Sequence, residues 1–136
     1  PEIAYIRLRD EDPGLVSSLM RPDALHIPAN VEGGTVLRPA RTGPVFSVHG
    51  GRLHMRYTQR KRHVEWQDDA KIARARAFLA DLLDGGEPFI IRHRLEAGQG
   101  LICNNVLHCR SAFHDPPEAE RRRLVYRARF LDPVRQ

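Results

Sequence analysis

Two stretches decide how this chain is read: LEAGQGLICNNVLHCRSAF at residues 95–113, and RRRLVYRARFLD at residues 121–132. In the first, Glu96 to Gly100 predicts a turn, Leu101 to Cys103 a strand, and Asn104-Asn105 a break that delivers His108 to the strand end. In the second, alternation over Arg122 to Leu131 predicts a long strand, with Arg122 fourteen positions after His108. A neutral imidazole held at a strand end suits a first-row metal ion. A guanidinium on the adjacent strand grips a carboxylate with two parallel donors, which a lysine cannot do. Together the two would seat a metal-chelating dicarboxylate anchored at its far end. The same residue types also fit a structural histidine beside a turn and a surface arginine on an edge strand. Local pattern alone leaves both readings open.

Working outward, Phe89 to Arg94 alternates as a further strand, and a helix precedes it. Ile72, Ala75, Leu79 and Leu82 recur at helical spacing, widened by Phe78 and Leu83, with Asp68 or Asp69 as cap and Gly85-Gly86 followed by Pro88 as the stop. His49-Gly50-Gly51 predicts a hairpin between strands at Pro44–Val48 and Leu53–Thr58. Gly33-Gly34 predicts a turn before a strand at Thr35–Arg38, and residues 25–30 read as extended. Asp12-Pro13 starts a short helix carrying Leu15, Val16 and Leu19. Residues 3–9 read as a strand, with Ile3, Tyr5 and Arg7 on one face and Ala4, Ile6 and Leu8 on the other. The expected fold is mostly β with one substantial helix, an α+β chain forming part of a double-stranded β-helix, or jelly roll.

Bulk composition narrows the classes. A hydrophobic fraction of 41% with 29% charged residues is that of a folded domain. No apolar run reaches the roughly 20 residues that cross a bilayer, and the start has no signal-peptide pattern. Cys103 and Cys109 are read as free thiols, which with the absent leader points to the cytoplasm. The net charge of +5 invites a nucleic-acid reading. The arginines, however, are spread widely, and the clusters Arg60-Lys61-Arg62 and Arg121-Arg122-Arg123 lack interleaved aromatics for stacking on bases. The expected partner is therefore a small molecule, with neither nucleic acid nor membrane. A homo-oligomer is compatible with the sequence but not specified by it.

The ordered combination of glycine turn, strand, Asn104-Asn105, Leu107-His108-Cys109-Arg110 and Arg122-Arg123-Leu124 resembles the C-terminal signature of the taurine dioxygenase and γ-butyrobetaine hydroxylase superfamily. The likeness is strongest over residues 95–132 and weaker from about residue 44 onward. It implies an Fe(II)- and 2-oxoglutarate-dependent oxygenase acting on a small molecule, with His108 as the distal iron ligand and Arg122 on the distal carboxylate of 2-oxoglutarate. Asn104 stands where the family often has Asp, and Cys109 where it often has Gly. Because Arg121 and Arg123 flank Arg122, the register of the carboxylate-binding residue is open by one. Alternation favours Arg122, which shares the more apolar strand face with Leu124 and Tyr126. Arg110 is read as bracing the loop or supporting the cosubstrate, and Arg56 or Tyr57 as candidates for the substrate side.

The resemblance also implies a second ligand source, a His-x-carboxylate pair upstream. The one such spacing here is His63-Val64-Glu65, only 45 positions before His108 and beside a basic loop. It is read mainly as surface, with His63 and Glu65 kept as additional ligand candidates. The expectation is that this chain is the C-terminal portion of a larger oxygenase domain, inactive alone, or else a non-catalytic jelly-roll homologue that binds a partner or carboxylate.

Overall fold

The computed structural model describes residues 1–59, 63–104, 106–112, 114, 117 and 124–128. The chain divides into two compact units, Pro1–Gly100 and Leu101–Gln136. The first unit is α+β: helices α1 (Glu2–Glu11), α2 (Pro13–Leu19) and α3 (Ala70–Asp84), with strands β1 (Leu25–Ile27), β2 (Asn30–Glu32), β3 (Thr35–Arg38), β4 (Arg41–Gly43), β5 (Phe46–His49), β6 (Arg52–Met55) and β7 (Glu65–Trp66). The strands form three small antiparallel sheets, ordered β4-β1-β7, β2-β3 and β5-β6.

The first correction concerns residues 3–9, expected as a strand and found inside α1. The alternation there is incomplete: Ala4, Ile6 and Leu8 are all apolar, but the opposite face mixes Ile3 and Tyr5 with Arg7. Helical spacing accounts for the burial. Ala4 and Leu8, four apart, are the two buried residues, while Ile3 and Ile6 stay over 40% exposed. Asp12 then closes α1 and opens α2. Its amide donates to the Leu8 carbonyl at 3.0 Å, and its carboxylate accepts from the Gly14 amide at 2.7 Å. Pro13 takes the first helical position, where its missing N–H costs nothing.

The three helices pack on one another and bury Leu8, Leu15, Leu19, Ile72, Ala75 and Leu79 completely. The β5–β6 hairpin is fixed to them through Phe46, also fully buried, whose ring meets Tyr5 edge-on at 5.6 Å. The Val45 amide donates to the Leu19 carbonyl at 2.8 Å. The hairpin turns at Gly50 and Gly51, with φ of 56° and 74°, a pair of left-handed residues that glycine supplies without strain.

Helix α3 follows its predicted periodicity, with Asp69 as the cap: its carboxylate accepts from the Lys71 and Ile72 amides at 2.8 and 3.1 Å. The Ile72 amide, then the Lys71 amide and Arg21, hold the Asp69 carboxyl below the usual carboxylate range. Arg21 does the same to Asp23. A depressed folded pKa contributes stability above the unfolded value of about 3.9, and that stability is lost as pH falls through the folded value. An Asp69→Asn variant, which can still cap, is expected to retain α3 at neutral pH and to lose less stability than the wild type on acidification below about pH 4. Asp69→Ala should be destabilised at neutral pH as well. Thermal unfolding followed by far-ultraviolet circular dichroism across that range checks both.

Two further expectations are corrected. Among the described residues, α1 adds a helix to the two expected, α3 and the short helix after Asp12. The strands expected at Phe89–Arg94 and Leu101–Cys103 are irregular, and so are residues 124–128 of the long strand expected at Arg122–Leu131. Alternation creates a two-sided segment, but a strand also needs a neighbour to satisfy its backbone groups. Among the described residues these segments pair with no strand, and Ile91 (89% exposed), Ile102 (82%) and Tyr126 (88%) are exposed. Leu124 and Val125 are exposed together with Tyr126, so the apolar face expected to point inward is not interior here.

Candidate functional site

His108 lies in the second unit, exposed, in an irregular segment after Val106. Its Nδ1 is 3.0 Å from the Val106 carbonyl oxygen. A carbonyl can only accept, so Nδ1 carries the proton and donates. In the neutral ring the lone pair is then left on Nε2. This is the arrangement in which a backbone carbonyl fixes the tautomer of a metal-binding histidine from behind. Arg110, two positions on, is exposed, as are the free thiols Cys103 and Cys109. Arg122, with Arg121 and Arg123, lies outside the described residues, and so does the cluster Arg60-Lys61-Arg62.

The His63–Glu65 pair belongs to the first unit. Both residues are exposed, and His63 has a φ of 58°, left-handed for a side chain other than glycine. Glu65 begins the two-residue strand β7 and sits opposite His26 in the register with β1. The alternation that would set His63 and Glu65 on one face therefore stops short of His63. Among the described residues, no three histidine, cysteine, aspartate or glutamate side chains stand together as a metal cage. The donor set fits iron only in part: one imidazole with its tautomer fixed, and no assembled triad.

The two substrate-side candidates have structural work to do. The Arg56 guanidinium donates to the carbonyls of Leu25 at 2.7 Å, Gly43 at 2.8 Å and Arg41 at 3.3 Å. It thereby ties β1 to β4 just beyond the end of β6. Burial, with Arg41 nearby, pulls its pKa below the ordinary arginine value. An Arg56→Ala variant is expected to be destabilised by about 2–3 kcal/mol in urea unfolding, because three carbonyls lose a charged donor. Arg56→Lys should recover little, since an ammonium lacks the planar fork that reaches several carbonyls together. Tyr57 is half-buried and meets Trp66 at a centroid distance of 6.1 Å, while the Arg76 guanidinium stands 4.7 Å from the Trp66 ring. Burial pushes the Tyr57 hydroxyl above its usual range.

Beside Arg56 lies a second cluster, which no ligand-spaced motif marks in the sequence. A concave site of about 700 Å³ is lined by Arg41, Thr42, Ser47, His49, His54 and Arg56, with Ala40, Gly43 and Pro44. The signal was available in the Gly50-Gly51 turn. Pairing Ser47 with His54 and His49 with Arg52 puts all four side chains on one face of the hairpin, opposite Phe46, Val48, Leu53 and Met55. Read singly, each histidine has no ligand-spaced partner in sequence, and so the group was not seen.

Comparison with known proteins adds one finding. The family model described as "Taurine catabolism dioxygenase TauD, TfdA family" matches residues 2–129. The match reaches well upstream of the residues that carried the resemblance in sequence. No curated protein and no solved structure matches the chain.

Proposed function

The chain belongs to the taurine catabolism dioxygenase family, and from that premise we propose that it serves the Fe(II)- and 2-oxoglutarate-dependent hydroxylation of a small-molecule substrate, with His108 as an iron ligand through Nε2. The observation that carries the assignment is the bond from His108 Nδ1 to the Val106 carbonyl, which leaves Nε2 as the donor atom. Arg122 is the proposed partner of the distal carboxylate of 2-oxoglutarate, a role resting on its place after His108 and on guanidinium–carboxylate chemistry. When bound, iron and 2-oxoglutarate supply the oxidising chemistry, and the protein supplies ligand geometry, orientation and exclusion of water.

The small sheets are read as pieces of a jelly-roll framework, and turnover is proposed to require a His-x-carboxylate pair alongside His108. His63 and Glu65 are the pair of suitable spacing in this sequence. The alternative, a carboxylate-binding module without catalysis, predicts 2-oxoglutarate binding that is indifferent to iron.

Anaerobic titration of the full-length protein with Fe(II) and 2-oxoglutarate distinguishes them through the weak visible charge-transfer band of the chelate. The band is expected in the wild type, and its absence there overturns the assignment. In His63→Ala and Glu65→Gln variants, loss of the band would place the pair in this chain, and an unchanged band would remove both residues from the ligand set.

A further inference from the structure

Four arginines on and around the helices pair with carboxylates: Arg7 with Glu87, Arg9 with Asp10, Arg21 with Asp23 and Asp69, and Arg74 with Glu11 and Asp12, at 2.8–3.6 Å. Arg76 of α3 stands over the Trp66 ring instead. The arginines around the β4 and β5–β6 concavity are set apart by being gathered about one hollow. Arg41, Arg52 and Arg56 form no ion pair among the described residues, and the lining of the concavity contains no carboxylate. Arg56 is moreover held rigidly by three carbonyls, close enough to Arg41 for the two charges to repel. Fixing like charges side by side around a hollow is unfavourable without a counter-charge.

The remaining lining is equally suited to an anion. Ser47 and Thr42 bring hydroxyls, and each is already oriented by an imidazole: Ser47 Oγ lies 3.1 Å from His49 Nε2, and Thr42 Oγ1 lies 2.7 Å from His26 Nδ1. The His49 and His54 rings meet edge to face at 5.6 Å. With a volume of about 700 Å³, the hollow is within the roughly 300–1,000 Å³ of small-molecule sites.

We propose that the concavity between β4 and the β5–β6 hairpin binds the oxyanion group, phosphate or carboxylate, of a small molecule through Arg41, Arg56, Ser47 and His49. Arg56 gives the site a fixed charge, and Arg41 gives it a donor fork not committed to a carboxylate. The hairpin face adds polar contacts that set the position of the group. This inference does not use His108, so it stands or falls independently of the iron assignment.

The test is a nuclear magnetic resonance titration of the isotopically labelled full chain with inorganic phosphate and, separately, with acetate. Saturable shifts of the amides of residues 41–56 are expected with at least one of the two, and the stronger binder identifies the anion class. Arg41→Gln should weaken that binding about tenfold, as expected for losing one charge-assisted hydrogen bond. Arg41 is exposed, and the amide spectrum of the variant reports directly whether the fold is intact. Arg7→Gln, on the helical side, should leave the affinity unchanged. Failure of both anions to give saturable shifts at residues 41–56 overturns the proposal. So does an Arg41→Gln affinity equal to wild type, or an equal loss in Arg7→Gln.

Discussion

Replacing His108 with Ala is expected to abolish the charge-transfer band of the Fe(II)–2-oxoglutarate chelate at metal concentrations that saturate the wild type. Removing a hydrogen-bond partner behind a metal ligand typically weakens affinity about 10–100-fold. Removing the ligand itself should cost at least about a hundredfold. The variant should fold as the wild type does, because His108 is exposed and its one described hydrogen bond is local, to Val106 two residues earlier. A structural role therefore predicts little change in any readout, whereas the ligand role predicts selective loss of iron binding.

Two controls sharpen that result. His93 is also exposed but has no place in the assignment, so His93→Ala should bind iron and 2-oxoglutarate like the wild type. Added imidazole should restore part of the band in His108→Ala, since a free ring can occupy the vacated position, and it should do nothing for a misfolded protein. Survival of the full band in His108→Ala would end the assignment of His108 as a ligand.

How far the sequence could be read depends on what each pattern was measuring. Helix α3 was legible because Ile72, Ala75 and Leu79 form one stripe and Asp69 and Gly85 mark its ends, all local signals. The turns at Gly33-Gly34 and Gly50-Gly51 were legible for the same reason, since a left-handed backbone selects glycine. Helix α1 was misread because seven residues supply too few periods to separate 2.0 from 3.6 when apolar residues occupy both faces. The short strands β4 and β7 were missed because they exist only through pairing with β1, as Gly43 opposite Leu25 and Trp66 opposite Leu25 show. The segment from Phe89 to Cys103 failed in the opposite sense: its alternation is strand-like, but strand formation is a property of two segments and not one. For the site, His108 was legible from the ordered motif around it. The tautomer that leaves Nε2 as the donor atom was not, because it depends on where the Val106 carbonyl points. Arg56 shows the converse. Its sequence position suggested the substrate, while its three carbonyl partners, Leu25, Arg41 and Gly43, come from segments 13 to 31 positions away.

The same dependence on distant partners makes Phe46 the residue whose loss should damage the first unit most. Its ring is fully buried and stands edge-on to Tyr5 of α1. Its neighbour Val45, also fully buried, donates its amide to Leu19 of α2 and accepts from the Arg56 amide at 2.7 Å. Phe46 is thus the large side chain at the point where the hairpin joins the helices. Phe46→Ala is expected to lower stability by about 3–5 kcal/mol, from lost transfer energy plus the cavity left behind. Phe46→Leu, which keeps much of the volume but not the edge-to-face contact, should lose clearly less. Urea unfolding read by circular dichroism measures both. The Ala variant should also broaden or shift the amide resonances of β5 and β6, because the buried Phe46 ring meets Tyr5 of α1. If Phe46→Ala cost under about 1 kcal/mol, the range of an exposed substitution, the packing of hairpin on helix described above would be wrong, and with it the placement of His49 and His54 beside Arg41.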